Sequence, residues 1–351
     1  QEAPFSTVWR RLTPKLDELA ALEAERPHLP ESSWLGRDQH ANQQEMNQIL
    51  DEAIAILSIS NASTLRQDLA VLEQAIEQTQ ARIATYHQEQ VSAPLQSHWK
   101  TTVEDYTRKI EEEKQRIVQY QREIAQKKHD FLLSLNALGV EMNPEQLEVL
   151  LASVVGNDMV RNMVVYSNVR RVSQQLMELT QKSQEDLHMA QRYYGMYTLL
   201  LKIVRHLQNQ FIAEIDQVYL PRMAQIKNQT TRLMADAKNL LDQEVDDGRR
   251  HPLQANLQAQ ELTLQTADLY EHHLNEQRHD MKMALDKTQR DLRVALNTYE
   301  TVKVSGELVR LLRSSTQAFD DILNIQVPDL LVFQNRQMKQ EFSALTTRLK
   351  Q

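Results

Sequence analysis

The chain contains no cysteine. It can therefore form no disulfide bridge and no thiolate metal site. A sequence without cysteine fits the reducing cytosol, and it also fits a bacterial envelope protein that avoids stray oxidation.

Glycine and proline are scarce, with 6 and 9 residues among 351, where average usage gives roughly 25 and 17. Turns need these residues, so the sequence predicts few turns and long helices. Aromatic residues make up only 5% of the chain, and Glu, Gln, Lys, Arg, Leu and Ala dominate, which is typical of helices with narrow buried seams. The predicted fold class is all-α, with elongated antiparallel coiled-coil hairpins and a body resembling a four-helix bundle.

Catalytic signatures are missing as well. The sequence has no glycine-rich phosphate loop, no GxSxG element, no cysteine nucleophile and no dinucleotide-binding fingerprint. Scattered histidines and carboxylates on solvated helices provide no assignable acid–base pair. We therefore expect no enzymatic activity and no cofactor.

Long hydrophobic runs are absent. The longest, at 131–140 and 193–201, have about half of the ~20 residues that a membrane span requires. The chain begins at Gln1 rather than Met, which indicates either a removed signal peptide or a shortened sequence. A removed signal peptide predicts a periplasmic or otherwise extracytoplasmic location, with the cytoplasm as the alternative. The composition is similar to that of extracytoplasmic helical segments of bacterial envelope proteins.

An excess of basic charge is also lacking. The net charge is −8, and 40 basic residues are interspersed with 48 acidic ones. Basic pairs such as Lys127-Lys128 are too short to follow a phosphate backbone. We therefore expect protein partners, with membrane-associated proteins among the candidates, and no nucleic acid.

What the sequence does contain is heptad periodicity. Residues 1–40 hold several prolines and predict an irregular segment with one short helix, from Pro14 to about Glu25, capped by Thr13. Residues 41–139 predict a shorter helical hairpin. Its first helix carries an apolar line with alternating spacing of four and three: Leu65, Leu69, Leu72, Ile76, Thr79, Ile83 and Tyr86.

The second helix of this hairpin, about 97–138, carries apolar residues every seventh position: Val103, Ile110, Ile117, Ile124, Phe131 and Leu138. The row three positions further on is only partly apolar, which predicts a half-polar seam. Gly139 is placed to end the helix.

Residues 140–327 predict the helical body and a much longer hairpin. Asn143 and Gln146 predict a capping box around Pro144. A single helix is expected from about 158 to 244, kinked at Pro221. One apolar stripe runs along it and resumes beyond the kink, where it predicts Leu233 and Leu240 in the seam: Val169, Val172, Leu176, Leu179, Ala190, Tyr197, Val204 and Phe211, then Ile226, Thr230, Leu233, Ala237 and Leu240. The return helix is expected from Leu253, and residues 328–351 predict a C-terminal helix.

The turn of the long hairpin is the predicted partner-binding tip, because it places charge at the far end of a lever. Its members are Asp246, Asp247, Arg249, Arg250 and His251. A solvated turn without a partner is the alternative.

Two further patterns have a functional and a structural interpretation. His272, Glu276 and His279 share one helical face at a spacing that suits zinc, although a solvated polar face is favoured because no fourth ligand can be named. Gly195 lies among three tyrosines and predicts close approach of another helix or of a small ligand, with the helix crossing favoured.

The leading functional hypothesis is a non-enzymatic scaffold or tether of the bacterial cell envelope. It would act through helix faces and the hairpin tip, as a monomer or a homodimer. The alternatives are an extracytoplasmic sensory or gating domain of a membrane channel or transporter, and a helical pore-forming toxin subunit that inserts its apolar segments near 147–166.

Overall fold

A computed structural model describes residues 5–34, 36–96, 99–182, 187–302, 333 and 335–351. These residues are predominantly helical and contain no β-strand. The helices are α1 (Phe5–Glu25), α2 (Gln39–Leu57), α3 (Asn61–Val91), α4 (Val103–Ala137), α5 (Pro144–Ala152), α6 (Gly156–Lys182), α7 (Leu187–Glu214), α8 (Leu220–Gln243), α9 (Asp247–Val302) and α10 (Arg336–Lys350). The predicted all-α fold class is confirmed.

The chain divides into two compact units. The hairpin unit consists of residues 60–137, and the main unit consists of residues 1–59 and 138–351. This boundary differs from the predicted 41–139 hairpin, because α2 belongs to the main unit and packs against α1. Ser60 marks the break, since its side chain accepts a hydrogen bond from the amide of Ser63 and starts α3 anew.

The body of the main unit is a bundle of α1, α2, α6 and α7, joined by the end of α9. Helix α1 buries Val8, Leu12, Leu16 and Leu19 along one stripe. It is longer than predicted. Thr13 does not cap it, because the hydroxyl instead donates to the carbonyl of Trp9 at 2.8 Å, with Pro14 inside the helix.

Helices α6 and α7 replace the first part of the single helix predicted across 158–244. They pack against each other and share one core, with Val169 and Val172 from α6 and Leu200 and Val204 from α7. The continuous stripe was misread because two antiparallel helices and one long helix have the same local periodicity.

The start of α5 confirms the predicted capping box. The Asn143 side chain accepts from the Gln146 amide at 2.7 Å, and the Gln146 side chain accepts from the Asn143 amide at 2.9 Å. Gly139 has a φ of 86°, so the predicted glycine after α4 occupies the left-handed region.

Helix α6 begins at Gly156. A Cβ at Gly156 would lie 1.9 Å from the Leu150 carbonyl oxygen.

The long hairpin pairs α7 and α8 with α9. The chain stays helical through Pro221, as predicted, but a π-helical turn at Ile215–Tyr219 precedes the proline. Helix α9 has 56 residues and is therefore about 84 Å long. Helix α10 confirms the predicted last helix, whereas Pro328 lies outside the described residues.

In the hairpin unit, α3 and α4 pair along their whole length. The polar row of α4 lies in the interface together with the apolar line. Buried Glu113 accepts from the Arg82 guanidinium at 2.8 Å, and Lys127 pairs with Asp68 at 2.5 Å. The half-polar seam predicted from the sequence is therefore closed by cross-helix ion pairs.

Candidate interaction sites

The connection between α8 and α9 is short. Helix α9 begins at Asp247 and not near Leu253, so four of the five predicted tip residues lie in its first turns. The cause is Asp246, whose carboxylate accepts from the Arg249 amide at 3.2 Å while its carbonyl accepts from the Arg250 amide at 3.0 Å. Asp246 acts as the helix N-cap.

The charges of this connection close the turn. The Arg250 guanidinium donates to the carbonyls of Leu241 at 3.0 Å and Glu244 at 2.6 Å, and so satisfies the end of α8. Arg249 pairs with the Glu244 carboxylate at 3.3 Å. Asp247 and His251 are exposed. Partner binding by these residues stays a prediction.

Apolar side chains are exposed near the same end. We call residues 231–262 of the α8–α9 hairpin the distal arm. Leu233 is 50% exposed and Leu240 is 56% exposed, and Val245 in the connection is 93% exposed. The sequence placed both leucines in the seam, but the stripe facing α9 contains Ile226, Thr230 and Ala237 instead. The two leucines lie one heptad apart on the margin of the seam.

The α3–α4 connection carries a site that the sequence interpretation missed. Val91 is 89% exposed, Leu95 is 84% exposed and Trp99 is 96% exposed. Isolated apolar residues on a surface are ordinary, but three large ones within nine positions form a patch. The signal was available as "VSAPLQSHWK", in which Leu and Trp follow a helix-ending proline and cannot continue the seam.

Hydrogen bonds fix the base of this connection. The Val103 amide donates to the Pro94 carbonyl at 3.1 Å, and the Gln90 side chain donates to the Val103 carbonyl at 3.2 Å and to the Thr107 hydroxyl at 2.8 Å. The Thr102 hydroxyl caps α4 by accepting from the Asp105 amide at 3.2 Å. Thr102 also donates from its amide and hydroxyl to the Asp105 carboxylate, which lowers the pKa of that carboxyl. The exposed apolar residues are thus held by an ordered base.

The histidine face on α9 does not assemble a metal site. His272 pairs with Glu276 at 3.0 Å on an exposed surface, and His279 is also exposed. Among the residues that the structure describes, no three histidine or carboxylate side chains converge on a point where a cation would bind.

The neighbouring His273 is buried in a polar cluster that joins α9 to α10 and to the end of α5. Its Nε2 lies 3.3 Å from the Ser153 hydroxyl. The Tyr270 hydroxyl accepts from the Val154 amide at 2.6 Å and bonds Thr346 at 2.7 Å. Phe342 stacks on Tyr270 with ring centroids 3.9 Å apart. Burial, with a smaller contribution from His272, lowers the pKa of His273 to about 4, so its imidazole is neutral at physiological pH.

Gly195 lies at a helix crossing. A Cβ at this position would be 3.5 Å from the Tyr299 ring, which is ordinary contact, and Tyr299 stacks on Tyr194. A cavity of about 310 Å³ lies beside it, lined in part by Arg192 and Asp17. These two side chains form an ion pair at 2.8 Å.

The apolar segments considered for membrane insertion are core. Val149, Leu150, Val160, Met163 and Val164 are all at most 2% exposed. No helix in the described part of the chain is long and apolar enough to cross a bilayer.

No protein-family model, curated protein or solved structure matches this chain.

Proposed function

We propose that this chain is a non-enzymatic scaffold or tether of the bacterial cell envelope that binds a protein partner through its long helical hairpin. The observation that carries the proposal is the distal arm, where Leu233, Leu240 and Val245 are half to almost fully exposed. The arm includes the first turns of α9, a helix of 56 residues that is about 84 Å long.

The apolar margin suits a helix-in-groove or bundle contact. Leu233 and Leu240 are seven residues apart and therefore lie on the same side of α8. They adjoin the buried stripe of Ile226, Thr230 and Ala237. A partner helix seated there would cover both leucines and widen the two-helix seam into a three- or four-helix one.

The charged connection supports this interpretation by its rigidity. Arg250 holds the carbonyls of Leu241 and Glu244, and Asp246 caps α9. A fixed end loses little conformational freedom on binding, so less of the binding energy is spent on ordering it.

The test is photo-crosslinking in the host cell, with p-benzoylphenylalanine placed at Leu240 or, as the control, at exposed Asn239 on the same turn. We expect a discrete protein adduct at position 240 that is absent at 239 and is abolished by Leu233→Glu. An adduct with twice the mass of the chain would identify the partner as a second copy. The same adducts at both positions, or none at 240, would refute the proposal.

A further inference from the structure

The end of the hairpin unit differs in chemistry from the rest of the chain. Val91, Leu95 and Trp99 are exposed by 84–96%. The segment from Gln90 to Val103 contains no Asp or Glu, although the chain has 48 of them among 351 residues. Lys100 is the only residue of this segment that carries a full charge at neutral pH.

We propose that this end docks on the surface of an anionic lipid bilayer, with Trp99, Leu95 and Val91 inserted at the level of the lipid headgroups. The inference concerns a different unit from the distal arm and does not depend on the proposed protein partner.

The residue types support a lipid surface. Trp is enriched at membrane interfaces because its ring is amphipathic, and Leu and Val supply purely apolar area. Protein-binding hot spots are instead enriched in Tyr and Arg beside Trp, and the segment contains neither.

The charge distribution supports an anionic surface. The chain as a whole has a net charge of −8 and is repelled by anionic lipids. A segment free of carboxylates therefore approaches such a surface with the smallest electrostatic repulsion. The acids that flank the segment are Glu89 and Glu104, which are exposed, and Asp105, whose carboxylate accepts from Thr102 and from Arg108.

The ordered base supports shallow insertion. The backbone groups of 95–96 and 99–101 lie outside the helices. They keep access to water only if the connection stays at headgroup depth, since non-helical backbone cannot enter the hydrocarbon core. The Gln90 and Val103 contacts hold the helix ends behind it, so side chains enter and the helices remain outside.

Co-sedimentation of the full chain with vesicles of mixed phosphatidylcholine and phosphatidylglycerol tests the proposal. Each large apolar side chain removed from the site should weaken binding roughly tenfold. We expect this loss for Trp99→Gln and again for Leu95→Gln. Trp34→Gln is the matched control, because Trp34 is 94% exposed but lies in the main unit, and it should bind as the unmodified chain does.

A second measurement locates the tryptophan. With Trp9 and Trp34 replaced by Phe, Trp99 is the sole tryptophan of the chain, and vesicles of lipids brominated near the headgroup should quench its fluorescence. With Trp9 and Trp99 replaced instead, Trp34 should not be quenched. Absence of binding at millimolar lipid, equal binding by Trp99→Gln, or equal quenching of Trp34 and Trp99 would overturn the proposal.

Discussion

Acidification should weaken the main unit through one buried histidine. His273 is 1% exposed, and burial lowers its pKa from 6.5 to about 4. The unfolded chain therefore binds one more proton than the folded chain between these two values, so the free energy of unfolding falls as the pH drops through this window. From about pH 7 to pH 5 the expected loss is about 2 kcal/mol, and it approaches ~3 kcal/mol below pH 4.

The assay is urea unfolding followed by Trp9 fluorescence, with Trp34 and Trp99 replaced by Phe so that the signal comes from the main core. His273→Gln keeps a donor for the Ser153 hydroxyl but does not titrate. The pH-dependent loss of the unmodified chain should therefore exceed that of His273→Gln by about 2 kcal/mol.

The control is His279→Gln, which changes an exposed histidine on the same helix and should retain the full pH-dependent loss. If the unmodified chain and His273→Gln lose equal stability between the two pH values, the reasoning about the buried imidazole is wrong.

Two pairs of substitutions test other features of the packing, and urea midpoints of each unit check them. Gly195→Ala should stabilise the main unit by ~1 kcal/mol, because the added methyl group meets Tyr299 at ordinary contact distance. Gly156→Ala should destabilise the main unit by about 1–3 kcal/mol, because its Cβ would overlap the Leu150 carbonyl oxygen. Equal effects of the two substitutions would contradict this geometry. Arg82→Met removes the closer partner of the buried Glu113 carboxylate, which keeps only Arg116 at 3.6 Å, and should cost the hairpin unit roughly 2 kcal/mol. Glu113→Met leaves Arg82, which reaches solvent, and should be close to neutral. A larger loss of stability for Glu113→Met than for Arg82→Met would show that the charge of Arg82, and not that of Glu113, carries the desolvation penalty.

Local signals in the sequence predicted local structure well. The Asn143–Gln146 capping box, the glycine after α4 and the heptads of α3 were all recovered because each is determined by residues within a few positions. The fold class followed from composition for the same reason, since scarcity of glycine and proline limits the number of turns.

Pairing between helices was harder to predict. The stripe through Val169 and Phe211 suits one helix or two antiparallel ones, and only contacts distant in sequence place α6 on α7. Helix α2 was assigned to the wrong unit because its apolar face says nothing about which neighbour covers it. Leu233 and Leu240 were placed in the seam because a heptad count cannot separate the centre of a seam from its margin.

The candidate sites were predicted least completely. Most of the predicted tip lies in the first turns of α9, and the roles of Asp246 and Arg250 as caps depend on where that helix starts. Trp99 and Leu95 were overlooked because exposure is a property of the folded chain, and a loop tryptophan is as often buried against a helix. Trp34, which also lies outside the helices, is likewise 94% exposed.

The π-helical turn at Ile215–Tyr219 bears on how the length of this hairpin can change. In it the Leu220 amide donates to the Ile215 carbonyl five positions back, so the turn accommodates one residue more than regular helix would. Removing exposed Gln217 would convert the turn to regular helix while Met223, Ile226 and Thr230 kept their orientation toward α9. The long hairpin can therefore gain or lose a single residue at this point without reassigning any face downstream, which is a freedom that uniform helix does not have.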